Sequence, residues 1–344
     1  MNITILASVW CQNLWDELIL KNTIHHFEKK YWVDTQFEVF TYDIDEPFFE
    51  QKNINYHEFF PAWIRRRWWV RRNIKNYQNL IHTLKVTDLV VIWGGGLFFD
   101  NEWTVSSLKN LNTWIFRRKL IAKYKKNLVF YGVGINFQED RNTAYQRKID
   151  AIFSGASEVY VRDTFSHNYL KKLWIWSEIV LDPVYNDHKK YKEKKKLQLW
   201  KIDISELSPK AIDITEYSWK TVWLALRKLD IENYETKVIA IIEFLIQRWA
   251  KIIILPHSFH KYDETSNDLV FFKKLLLEYY EITDFNLIDN KLKLSHSLDE
   301  TYNYYREQWL DLILASRLHS IILAKVYKIP YIWLSYSKKT SEQL

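Results

Sequence analysis

The sequence is short of glycine, proline, cysteine and methionine: its 344 residues hold 6 Gly, 6 Pro, 1 Cys and 1 Met. The single cysteine, Cys11, can form neither an internal bridge nor a thiolate cage for zinc. That excludes a disulfide scaffold and points to a reducing compartment. No apolar run reaches the roughly 18 residues that a membrane-spanning helix needs. The start, Met1 to Thr4, carries no basic leader, so the expected location is cytoplasmic, with peripheral contact at the inner face of the membrane as a variant. With 48% apolar residues and a formal charge of +7, a disordered or fibrous chain is excluded, and the length suffices for two ordinary cores.

Against the missing glycine stand 17 tryptophans. Average usage of about 7% would give a chain of this length roughly 24 glycines, so the deficit and the tryptophan excess are of similar size. Trp32, Trp174 and Trp249 each follow a helical pattern with basic residues near its end and precede a strand-like run. That is the C′ position, where a left-handed backbone favours glycine. The expectation is that many of these tryptophans are UGA codons that the source organism reads as glycine, and the mass of the natively expressed protein tests it.

Apolar runs alternate with helical periodicity along the chain. Strands are predicted at 3–9, 37–42, 88–92, 128–133, 158–161 and 179–181, with helices at 16–31, 64–84, 105–124, 143–154 and 165–173. A basic stretch beginning at Lys189 leads 186–218 to be read as a linker or insert. A second set follows, with strands at 222–226, 252–255, 312–314 and 331–334 and helices at 232–248, 268–280, 301–308 and 318–327. The fold class is therefore α/β: two Rossmann-like domains, 1–185 and 219–344, with mostly parallel sheets facing a cleft.

The candidate chemistry sits at strand ends. The run from Asp88 to Asp100 is a buried strand entering a loop with Gly94, Gly95 and Gly96, where backbone N–H groups can crowd an anion. It lacks both the Walker and the G-x-G-x-x-G spacing. Gly132 and Gly134 repeat the arrangement after the next strand. Arg162-Asp163 and Asp182-Pro183 also end strands, where they serve equally as capping or turn pairs. In the second half, Arg227, Pro256-His257 with Asp263, and Arg317-Leu318-His319 follow three strands. Arginine forks and titrating imidazoles in such places suit a phosphate or carboxylate ligand. No His/Cys/Asp/Glu spacing points to a metal. The segment from Ala62 to Arg72 is basic and aromatic, and is read as a solvated helix face or a peripheral membrane contact rather than a nucleic-acid site.

Taken in order, these motifs resemble the polysaccharide pyruvyl transferase family. The matching pieces are Asn13 to Glu17 (the family has Asn-x-Gly-Asp), Ile92 to Leu97, Gly132 to Gly134, Val161 to Asp163 with Ser166, and Asp182-Pro183. They continue with Leu226-Arg227, Pro256-His257 with Asp263, Arg317 to His319, and Pro330 to Tyr336 with Lys339. Trp15, Trp93 and Trp333 fall where the family carries glycine. The chain stops soon after Lys339, whereas family members continue, so the second domain is read as cut short.

The resemblance implies a GT-B-like enzyme of cell-envelope polysaccharide synthesis. It would move the enolpyruvyl group of phosphoenolpyruvate, as donor substrate with no cofactor, to a lipid-linked or nucleotide-linked saccharide and close a pyruvate ketal. It implies His319 as general acid and Asp16 or Asp100 as base. Arg227, Arg317, His257, Arg162 and Gly94 to Gly96 would bind substrate. A GT-B glycosyltransferase using a nucleotide sugar and a non-catalytic binder of anionic glycans or membranes are the alternatives.

Overall fold

The protein is described by a computed structural model at residues 1–7, 12–31, 34–42, 44, 51–61, 70–93, 97–99, 107–136, 143–187, 198–209, 211–212, 220–248, 250–260, 264–280, 292–307 and 311–336. It divides into two compact units: Met1–Trp10 with Asp16–Pro183, and Cys11–Trp15 with Val184–Leu344.

The first unit runs β1 (Asn2–Ala7), α1 (Leu14–Tyr31), β2 (Gln36–Thr41), β3 (Ile54–Glu58), α2 (Val70–Val86), β4 (Leu89–Trp93), β5 (Phe98–Phe99) and α3 (Ser107–Lys123). It continues with β6 (Asn127–Val133), β7 (Ile135–Asn136), α4 (Thr143–Phe153), β8 (Glu158–Val161), α5 (Thr164–Lys172) and β9 (Glu178–Ile179). Among the described residues the main sheet has seven strands in the order β3-β2-β1-β4-β6-β8-β9, and every pairing is parallel. Helices cover such a sheet on both faces, which is why β4, Leu-Val-Val-Ile-Trp, is buried along its whole length rather than alternating. One core joins Leu6, Phe40, Val90, Ile92 and Phe130 of the strands to Leu80 and Leu84 of α2, Leu111 and Trp114 of α3, and Ile149 and Ile152 of α4. Helices α2, α3 and α4 therefore share one sheet face.

The second unit contains β10 (Gln198–Asp203), β11 (Thr221–Ala225), α6 (Tyr234–Gln247), β12 (Lys251–Ile254), α7 (Asp268–Tyr280) and β13 (Leu292–Leu294). Then come α8 (Leu298–Glu307), β14 (Leu312–Ala315), α9 (Leu318–Tyr327) and β15 (Tyr331–Ser335). Its six-stranded sheet has the order β10-β15-β14-β11-β12-β13, again with parallel pairings.

Two parallel-sheet α/β units are what the alternation predicted, and the stretch read as a linker contributes to the sheet and core of the second. The second unit begins at Val184. Inside the 186–218 stretch, β10 pairs with β15, and Ile202, Ile204, Leu207 and Ile212 enter the core. Strand β10 is an edge strand, and its polar residues Gln198, Lys201 and Asp203 hid it behind the lysine run. Strands β3 and β13 were missed for the same reason.

Candidate functional site

In the second sheet the chain steps outward from β11 to β12 and β13, then returns to place β14 on the other side of β11. The point where strand order reverses is where loops at the carboxyl ends diverge and leave room for a ligand. The residues following β11 and β14 are Leu226-Arg227 and Ser316-Arg317. They are tied together: Ser316 N–H donates to the Ala225 carbonyl at 3.2 Å, and Arg227 N–H donates to Ser316 Oγ at 3.2 Å. The Tyr234 hydroxyl donates to the Arg227 carbonyl at 2.9 Å. Burial pushes the Tyr234 phenol up and Asp268 adds to the rise, while a hydrogen bond with Ser316 and the charges of Arg227 and Arg317 oppose it.

Arg317 is the residue before α9 and gives that helix no side-chain cap. Its guanidinium pairs with Asp268 Oδ1. The other oxygen of Asp268 accepts from the backbone N–H of His257 at 3.0 Å and of Ser258 at 3.1 Å. Asp268 is buried, and it holds the loop after β12 and the cation after β14 with one carboxylate. Asp263, the acidic residue expected beside His257, lies outside the described residues. For Asp268, an acidic residue opening a long helix was the available signal, and it reads as ordinary helix-dipole chemistry.

His257 departs from the expectation of a cationic substrate ligand. The ring is 1% exposed. Its Nδ1–H donates to the Leu255 carbonyl at 2.9 Å, which leaves Nε2 to accept from the Tyr305 hydroxyl at 2.9 Å and from the Ser320 hydroxyl at 3.2 Å. Burial, aided by the charge of Arg317, pulls its pKa down to about 3. His257 is therefore neutral and shapes the site rather than binding an anion.

Its proton linkage has a definite sign. The unfolded imidazole takes a proton below about pH 6.5. The stability contributed by this histidine is thus complete above that pH and is lost as pH falls toward 3. Urea unfolding of H257Q should show a loss of about 1–3 kcal/mol at pH 8, from the stranded Tyr305 and Ser320 hydroxyls, and a shallower decline than the parent between pH 6.5 and 4.

His319 lies in the first turn of α9 and is half-buried. One face of its ring is stacked on the Trp15 indole, with centroids 4.3 Å apart and planes at 4°. Residues 12–15 pack within this unit: Leu14 N–H donates to the His257 carbonyl at 3.0 Å and Phe259 N–H to the Gln12 carbonyl at 3.0 Å. Asn13 bridges Ser258. This pairing of the start of α1 with the loop after β12 joins residues more than 240 positions apart and leaves no local sequence pattern.

In the first unit, Arg162 sits between two carboxylates, Asp163 Oδ2 and Asp182 Oδ2, each at 3.8 Å. Asp163 caps α5 by accepting from Ser166 N–H at 2.7 Å. Gly132 lies at φ +64°, and a Cβ added there would stand 3.0 Å from Pro183 Cδ, so both the backbone and the space disfavour a side chain. These motif residues form one structural knot. Arg162 thus stands beside two carboxylates, with its Nε left without a hydrogen-bond partner. Asp16 lies in the first turn of α1 and is half-buried. Gly94, Gly95, Gly96, Asp100 and Lys339 fall outside the described residues. Among the described residues no group of three His, Cys, Asp or Glu is arranged to hold a metal ion, and no helix is long and apolar enough to cross a membrane.

The tryptophans carry an unusual signature. Buried indoles ordinarily find an acceptor for Nε1–H, yet Trp15, Trp93, Trp114, Trp223 and Trp333 are all buried with that donor unpaired. Trp174 has φ +59° and is 96% exposed. Its N–H donates to the Lys171 carbonyl and that of Ile175 to the Leu170 carbonyl. This is a Schellman ending with the left-handed residue at C′, as the sequence pattern predicted. Trp32 and Trp249 lie outside the described residues. Trp174→Gly should raise stability by about 1 kcal/mol, because a bulky side chain is disfavoured in the left-handed conformation; urea unfolding checks it.

The architecture and the site at the reversal point define a two-domain α/β protein of GT-B type. It is similar to a UDP-GlcNAc 2-epimerase from Methanocaldococcus jannaschii, with TM-score 0.54 and 14% identity over 97% of this chain and 83% of that one. It is also similar to a glycosyltransferase from Rickettsia africae, with TM-score 0.51 and 10% identity over 98% and 80%. No curated protein matches the sequence. Residues 16–338 match the family described as polysaccharide pyruvyl transferase, and the chain belongs to that family. It is accordingly a transferase acting on polysaccharide.

Proposed function

We propose that the protein transfers the enolpyruvyl group of phosphoenolpyruvate to two hydroxyls of a saccharide, forming a pyruvate ketal and releasing phosphate. The observation that carries this reading is that the loops bearing Arg227 and Arg317 are joined at the reversal point of the second sheet by the bond from Arg227 N–H to Ser316 Oγ, with His319 two residues beyond Arg317, in a chain of this family. The donor bears a phosphate and a carboxylate, and an arginine at the amino end of α9 with a second on the adjoining loop suits both.

In the proposed sequence, protonated His319 gives its proton to the methylene carbon of the donor, and positive charge develops at the carbon bearing the phosphate. One acceptor hydroxyl attacks that carbon and loses its proton to a base, for which Asp16 and Asp100 are the candidates. The phosphate then leaves with the pair of its C–O bond, taking up the second hydroxyl's proton as that oxygen closes the ring. Arg227 and Arg317 stabilise the charge on the departing phosphate. His257 and Asp268 act as positioning residues.

The same reading includes glycine at Trp15, Trp93, Trp174, Trp223 and Trp333 in the natural protein, as well as at Trp32 and Trp249. Two independent features support it: the unpaired indole donors and the left-handed backbone at Trp174. It bears on activity because the Trp15 indole covers a face of the proposed acid. Phosphate release from phosphoenolpyruvate with a panel of saccharides tests the transfer. Release of nucleotide from a sugar donor instead would favour the glycosyltransferase alternative.

A further inference from the structure

Two stretches of the first unit are devoid of acidic residues. Residues 59–87 and 103–138 contain fourteen Lys and Arg and no Asp or Glu, twice the +7 of the whole chain. The rest of the chain is therefore net acidic, and the cationic excess is confined to α2, α3 and their flanks. Both helices pack on the same sheet face through a common core, so their outer sides belong to one side of the unit.

Not every cation there faces outward. Arg72 pairs with the buried Glu58 carboxylate, and Arg117 is buried over the rings of Phe59 and Trp114, at 3.9 and 4.6 Å. The exposed ones are Arg71, Lys75 and Lys85 on α2 and Lys109, Lys119 and Lys123 on α3. Among them stand large apolar residues in contact with water: Val70, Ile74 and Tyr77 on α2, at 67%, 52% and 37% exposure, and Phe116 on α3 at 38%. Val70, Ile74 and Tyr77 are spaced to share one helical face. Phe60 packs against both Tyr77 and Phe116, at 5.1 and 5.7 Å between ring centroids, and links the two helices. Among the described residues, Val70, Ile74, Tyr77 and Phe116 remain exposed to solvent.

We propose that the outer faces of α2 and α3 dock on an anionic lipid bilayer, with Val70, Ile74, Tyr77 and Phe116 entering the headgroup boundary and the surrounding lysines and Arg71 meeting lipid phosphates. Charge complementarity selects this occupant. Neither α2 nor α3 carries a carboxylate to repel anionic headgroups, and cations near such a membrane are drawn to it. Aliphatic and aromatic side chains at the centre of a cationic field are the pairing that an interfacial element uses. A nucleic acid would use the cations and leave Ile74 and Phe116 without a partner. The surface stands apart from the pyruvyl reading, because docking needs no turnover.

The test is co-sedimentation of the full chain with vesicles of phosphatidylcholine alone and of phosphatidylcholine mixed with phosphatidylglycerol, alongside binding to single-stranded DNA. The parent is expected to sediment with the mixed vesicles and not with the neutral ones. The exposed double variant I74E/F116E, its fold checked by circular dichroism, should bind the mixed vesicles about tenfold more weakly. Equal sedimentation of parent and variant, absence of binding to the mixed vesicles, or DNA binding that is tighter and indifferent to the variant would each overturn the proposal.

Discussion

Glycine at positions 15, 93, 223 and 333 together is expected to give a chain at least as stable as the one carrying tryptophan, and to bring turnover where the tryptophan chain has little. The two possible identities of these residues predict opposite signs. If tryptophan were native, truncating each buried indole would cost about 3–5 kcal/mol, and the three such losses in the second unit are as large as the roughly 5–15 kcal/mol that holds a domain folded. If glycine is native, W15G uncovers the face of the His319 ring now stacked at 4.3 Å, and four buried, unpaired N–H donors disappear, each relieving about 1–3 kcal/mol. Trp114 belongs outside this set. It lies within α3, with Arg117 4.6 Å from its ring, where glycine would weaken the helix. The urea midpoint and the rate of phosphate release are the readouts. An unfolded quadruple variant beside an active tryptophan chain would refute the recoding.

The second large effect is expected at His319. Removing a general acid typically costs a factor of about 10²–10⁴ in rate, so H319A, made in the active background, should fold normally and lose turnover by that factor. The partly exposed ring supports no core comparable to that around His257, so stability should stay within about 1 kcal/mol of the parent. The pH profile separates an acid from a spacer. A general acid gives a limb that falls as pH rises through the imidazole pKa, and H319N would remove that limb along with the rate. Near-normal turnover in either variant would refute the assignment.

Much of the fold was legible because a parallel sheet covered on both faces writes itself as apolar runs. Strand β8 and helices α7 and α9 fall at the predicted residues, and the left-handed residue at 174 was read from the basic end of α5 alone. What stayed hidden depends on distant pairing. The alternation places Arg227 and Arg317 at strand ends, but only the order β14-β11-β12 makes those ends neighbours. Burial of His257 depends on Tyr305 and Ser320, which lie 48 and 63 residues further along the chain, so a histidine beside a proline looked like a ligand. Asp268 looked like a helix start, and its hold on Arg317 is a contact across 49 residues. Polar edge strands such as β10 bury too little apolar surface to leave a pattern.

The most direct measurement is mass-resolved conversion of saccharide acceptors by the chain with glycine at positions 15, 32, 93, 174, 223, 249 and 333. Phosphoenolpyruvate would be present, with nucleotide-linked and lipid-linked N-acetylhexosamines and galactosides as acceptors. The account predicts an acceptor that gains a pyruvate ketal in step with phosphate release, both lost in R317A and R227A. Folded protein that leaves phosphoenolpyruvate untouched while releasing nucleotide from a sugar donor would contradict it.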